Sequence, residues 1–202
     1  MHALSGIVIF VALGLPAAWM GTEVMRVAEG EQSVLVAQQA TQETERAGMS
    51  ESGRTIILMR HAEKEIGADP GLTERGLKRA AEVARLLSKS GAQQLICTEY
   101  RRTRMTLEPL AKTLALEIET LPAAEGAKLA ERCKATKDGE TVVICGHSNT
   151  VPALLKALGA EPQRLDGAQM IPDAEFGRLY ILHLPPATSS AKPLLTELDT
   201  GS

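Results

Sequence analysis

Residues 55–64 read Thr55-Ile56-Ile57-Leu58-Met59-Arg60-His61-Ala62-Glu63-Lys64. The first five are continuously apolar, not alternating, which suits a strand buried on both faces. The last five abruptly carry charge and an imidazole, so the strand ends at a site where polar groups gather. Two more segments repeat the pattern. Gln94 to Thr98 is a second short apolar strand and leads to Tyr100-Arg101-Arg102-Thr103-Arg104. Thr141 to Cys145 lies between Gly139 and Gly146 and leads to Gly146-His147-Ser148-Asn149-Thr150.

Amphipathic stretches separate these runs. Thr73 suits a helix N-cap, with Glu74 in the first turn. Leu77, Ala80, Ala81, Ala84 and Leu87 recur at helical spacing, and Gly91 is placed to end that helix. A second helix carries Leu107, Leu110, Ala111 and Leu114, with Pro109 either kinking it or opening its regular part. A third helix spans roughly 125–137, and a fourth runs from about Thr150 to Leu158. Arg178 to Leu184 reads as a late strand near a sheet edge. Short apolar strands alternating with helices predict an α/β fold: a three-layer sandwich with a mostly parallel central sheet and helices on both faces.

In such sheets ligands bind beyond the carboxyl ends of the strands. Three strands deliver arginines or histidines there, which suits a phosphate dianion. Guanidinium groups offer a rigid fork of donors to phosphate oxygens, and the backbone amides opening the helix after His147 add more. A neutral imidazole among them can act as nucleophile.

These residues resemble the histidine phosphatase superfamily, in its phosphoglycerate mutase-like branch 1. Arg60-His61-Ala62-Glu63 matches the "RHxE" motif and Leu72-Thr73-Glu74-Arg75-Gly76 its "LTxxG" follower. Arg102-Thr103-Arg104-Met105-Thr106 resembles "RTxxT", and Gly146-His147-Ser148-Asn149 the second-histidine motif. One departure is Thr98-Glu99, where a Ser-Pro pair is common; Thr98 keeps the hydroxyl. The resemblance covers roughly residues 55–184. It implies a metal-independent phosphomonoester hydrolase without a cofactor, in which His61 becomes phosphorylated. Arg60, Arg102 and His147 would complete the phosphate pocket, with His147 protonated when substrate is bound. Glu125 would be the proton donor, or else a helix-start carboxylate favoured by the dipole; Asn149 would be a further phosphate contact, and Glu63 either a residue orienting His61 or an arginine or a direct substrate-binding group.

Two other classes use the same residues. A metallohydrolase would take His61, Glu63 and His147 as ligands, against the repulsion of Arg60 and Arg102. A non-catalytic phosphate-binding module would keep the pocket without turnover. Within the enzyme reading, only about 19 residues separate Thr106 from Glu125. That brevity favours water over a sugar acid as acceptor and an open site. The expected partners are small phosphorylated molecules or phosphoproteins, with phosphohistidine proteins as an alternative substrate.

The remaining expectations come from composition. A net charge of -3 provides no basic field for nucleic acid. Aromatic residues make up 2% of the chain, so Leu, Ile, Val and Ala must build the core. Three cysteines are too few and scattered for a disulfide framework. Residues 3–20 are apolar and uncharged, and residues 1–20 read as a signal peptide or membrane anchor. Either implies an exported, periplasmic or membrane-anchored protein. A start at Met49 would instead leave it cytoplasmic. Residues 21–53 read as a polar linker, 54–185 as the phosphatase domain, and 186–202 as a flexible tail.

Overall fold

The computed structural model describes residues 53–201. The expected signal or anchor at 1–20 and, apart from Gly53, the linker at 21–53 lie outside the described residues. Ten elements follow one another. They are β1 (Arg54–Arg60), α1 (Glu74–Leu87), β2 (Ala92–Cys97), α2 (Arg101–Leu114), β3 (Ile118–Thr120), α3 (Gly126–Lys134), β4 (Thr141–Gly146), α4 (Thr150–Ala157), β5 (Arg178–Leu184) and β6 (Leu194–Asp199).

The six strands form one sheet in the order β3-β2-β4-β1-β5-β6. β1, β2, β3 and β4 run parallel, while β5 and β6 add an antiparallel flank. Alternate side chains of each strand enter opposite cores, as the two-residue period of a strand requires. Ile56, Leu58, Val142 and Ile144 pack with Leu154 and Leu155 of α4 and Ala130 and Cys133 of α3. Ile57, Met59, Val143 and Cys145 pack with Val83 and Leu87 of α1 and Leu107 and Leu110 of α2. Helices thus cover both faces of a mostly parallel sheet, as the continuous apolar runs predict. All three cysteines are buried and unpaired.

Several boundaries differ from expectation. The segment expected as a flexible tail contains a strand, since Leu194–Asp199 pairs with β5 over six positions. This edge strand is half-exposed and includes Thr196, Glu197 and Asp199. Its pattern is too polar to stand out behind a Pro- and Ser-rich stretch. Consequently β5 lies one place in from the edge. The three-residue β3 also escapes detection by pattern. On α1, Leu77 and Ala81 face outward, and Gly76, Ala80, Val83, Ala84 and Leu87 form the buried stripe. Helix α2 begins eight residues before Pro109, which lies inside it.

Two motifs interlock around the end of β1. The amide of Thr73 donates to the Glu63 carbonyl at 2.9 Å, and the Thr73 hydroxyl caps α1 by accepting from Gly76 N. A Cβ at Gly76 would lie 2.1 Å from that same carbonyl, so only glycine lets α1 approach. On the other side, Ala62 N donates to Thr106 Oγ1 at 3.0 Å, tying α2 to the same loop.

Candidate active site

The carboxyl ends of β1, β4 and β2 lie side by side, with β4 in the middle. Arg60 pairs in register with Gly146, and His61 N donates to the Gly146 carbonyl at 2.9 Å. The two histidines are therefore neighbours across adjacent strands, with ring centroids 5.4 Å apart in an edge-to-face arrangement. Arg102 enters from the first turn of α2. Arg60, His61, Arg102 and His147 all line one open pocket of about 510 Å³, together with Lys64, Tyr100, Ser148, Asn149 and Asp173.

Hydrogen bonding decides which nitrogen of each imidazole is available. His61 Nδ1 lies 2.8 Å from the Ala62 carbonyl. A carbonyl only accepts, so Nδ1 carries the proton and Nε2 keeps its lone pair. For His147, Arg102 Nη2 donates to Nδ1 at 3.4 Å. The proton then resides on Nε2, which donates to Thr98 Oγ1 at 2.9 Å. Thr98 donates its own hydroxyl hydrogen bond to Thr103 Oγ1 at 3.0 Å, and Thr103 donates to the Tyr100 carbonyl at 2.7 Å.

Burial keeps both rings neutral in the free site. Desolvation, together with the positive charges of Arg60 and Arg102, pulls each histidine from the ordinary 6.5 down to about 4. The hydrogen bond to the Ala62 carbonyl opposes this for His61, and Glu99 opposes it for His147.

The arginines are held from behind. Arg60 donates through Nη1 to the carbonyls of Pro172 (3.0 Å) and Asp173 (3.2 Å), and its guanidinium carbon stands 4.2 Å from the centre of the Phe176 ring. Arg102 stacks likewise on Tyr100, at 4.2 Å. Each of these buried guanidiniums retains an Nε–H without an acceptor among the described residues.

The other expected site residues divide. Asn149 lines the pocket. Glu63 does not, because Arg79 grips its carboxylate at 2.9 and 2.7 Å and Arg75 reaches it at 2.9 Å. Burial alone would raise the Glu63 carboxyl, but those guanidiniums hold it below the usual range. Glu125 is also outside the pocket wall and pairs with Lys128 at 2.9 Å. The one carboxylate on the wall, among the described residues, is Asp173, 3.4 Å from Arg60 Nη2. Sequence reading missed Asp173, Phe176 and Tyr100. The first two lie in a loop without a motif, and Tyr100 shows its part only once stacked on Arg102.

Comparison with known proteins bears on the fold. The model of the histidine phosphatase superfamily (branch 1) matches residues 56–125. Among solved structures, the mycobacterial glucosyl-3-phosphoglycerate phosphatase superposes with a TM-score of 0.56 at 16% identity, covering 74% of this chain and 100% of the other. The protein histidine phosphatase SixA complexed with tungstate gives 0.52 at 18%, covering 72% and 96%. Phosphoserine phosphatase from Entamoeba histolytica, in complex with 3-phosphoglyceric acid, gives 0.51 at 17%, covering 73% and 98%. These likenesses are ones of fold. No curated protein sequence matches the chain.

Proposed function

We propose that this chain, whose residues 56–125 match the model of the histidine phosphatase superfamily (branch 1), hydrolyses phosphate monoesters through a phosphohistidine on His61, without a metal. The observation that carries the reading is the lone pair on His61 Nε2 in a pocket that Arg60, Arg102 and His147 line with it.

The reaction has two displacements. His61 Nε2 attacks phosphorus, forming the P–N bond while the ester P–O bond breaks. The leaving oxygen departs with the bonding electrons and takes a proton from solvent. Water then attacks the phosphorus of phosphohistidine and gives up a proton to solvent. The P–N electrons return to Nε2 and orthophosphate leaves. Arg60 and Arg102 neutralise the oxygens throughout, the dominant form of catalysis for phosphoryl transfer. A bound dianion also reverses the electrostatics around His147. Its Nδ1 then takes a proton from solvent, gives up the bond it accepts from Arg102 and becomes a further donor to phosphate.

A second reading is favoured by the placement of the carboxylates. Glu125 pairs with Lys128 outside the pocket wall, and Asp173, on the wall, lies 3.4 Å from Arg60, so among the described residues no unpaired carboxylate faces the phosphate site. A phosphohistidine protein needs none, because its imidazole leaves neutral once the other ring nitrogen is protonated. Turnover by the full chain of a panel of phosphate monoesters and of a phosphohistidine peptide, each with and without chelator, tests both readings. Turnover insensitive to chelator supports the proposal. Phosphate binding without turnover, or loss of activity in chelator, contradicts it.

A further inference from the structure

Beside the phosphate pocket is a second cavity of about 450 Å³, between α3 and α4. Leu121, Ala127, Leu129, Ile144, Ala153 and Leu154 form much of its wall, and none of the residues lining it is charged. Its two hydroxyl side chains are already engaged. Thr98 is bonded to His147 and Thr103, and Thr150 Oγ1 accepts from His147 N at 2.8 Å. Small residues keep it open: Ala127, Ala153 and Ala157 are exposed along its rim. A Cβ at Gly126 would meet nothing within 4 Å.

This groove is continuous with the phosphate pocket, since Ala123, Ala124 and Thr150 line both. A ligand with its phosphate against Arg60 and Arg102 can therefore extend into a space that excludes charge. Apolar cavities of this size with few polar groups are characteristic of small-molecule sites, and a groove of this kind left to water carries a cost that an apolar ligand removes. We infer that the groove receives the leaving group of the substrate, and that the preferred substrates are phosphate esters of apolar alcohols or phenols. The inference rests on the ester hydrolysis proposed above and specifies its substrate class.

The test uses 4-acylphenyl phosphates from acetyl to octanoyl, below their micellar concentrations. The acyl carbonyl holds phenol acidity constant while the tail lengthens. Expected is a rise in kcat/KM of about three- to fourfold per added methylene until the tail outgrows the groove. Ala153→Trp, on an exposed helix position outside the phosphate pocket, should flatten this dependence and leave turnover of the acetyl ester unchanged. Gly126→Leu serves the same purpose from the α3 side. A binding arm separates the two claims. Calorimetry on His61→Ala protein should show tighter binding of the octanoyl ester than of the acetyl ester. Equal affinities for the two esters would overturn the groove assignment even if hydrolysis through His61 stands. Equal affinities in a protein that sediments as a dimer would assign the groove to a second copy. Absence of hydrolysis with tail-dependent binding would instead overturn the ester reading and keep the groove as an apolar ligand site.

Discussion

His147 Nε2 and the Thr98 hydroxyl lie 2.9 Å apart, and Thr103 Oγ1 accepts the hydrogen bond that the hydroxyl donates. Because Thr103 ends the chain on the Tyr100 carbonyl, the direction of every donor is fixed. His147 is thereby held with Nδ1 toward Arg102. The relay gives a physical reason for a hydroxyl residue at the end of β2 and for the threonine after Arg102.

Thr98→Val removes the acceptor while keeping the shape. It should lower kcat/KM about tenfold, the scale of one hydrogen bond, and shift His147 toward the other tautomer. Imidazole nitrogen NMR reads that tautomer directly. Thr98→Ser should restore both. An unchanged NMR spectrum in the valine variant would show that Thr98 does not orient the ring.

Arg102→Ala should raise KM and lower kcat together, with a loss in kcat of about a hundredfold or more, as for removal of a preorganised donor to a developing oxyanion. Steady-state kinetics that match the parent would remove Arg102 from the phosphate pocket.

Glu125→Gln should leave turnover within about twofold for esters of both good and poor leaving groups, because its carboxylate pairs with Lys128 and does not line the pocket. A selective loss on poor leaving groups would restore Glu125 as proton donor.

The buried imidazoles also predict how stability varies with pH. Their values of about 4 in the folded protein lie below the ordinary 6.5 of an unfolded chain. Between these limits the unfolded state binds more protons, so stability should fall as pH drops from about 6.5 to about 4. Denaturant unfolding across that range checks the slope, and replacing both histidines by glutamine should flatten it. An imidazole NMR midpoint near 6.5 for His61 in the free protein would contradict the account of its burial.

The parallel strands and the four pocket residues were legible because each strand is a continuous apolar run that breaks at a charged motif. What stayed hidden has specific causes. β6 is an edge strand with polar, half-exposed positions, and β3 is three residues long. Glu125 lies near the expected place along the chain. Its side chain, however, turns to Lys128 one helical turn away, a choice that sequence spacing does not encode. Glu63 belongs to the motif but acts through Arg75 and Arg79, joining the His61 loop to α1. Asp173 reaches the pocket only because the loop before β5 folds over Arg60.

The central claim is that His61 Nε2 takes the phosphoryl group. Incubating the full chain with a radiolabelled phosphate ester, quenching in alkali and mapping the labelled peptide tests it directly. The account predicts an acid-labile, alkali-stable phosphoryl group on His61 that disappears when the ester is exhausted, and no label in His61→Ala. Hydrolysis that continues in His61→Ala, or label found on another residue, would contradict it.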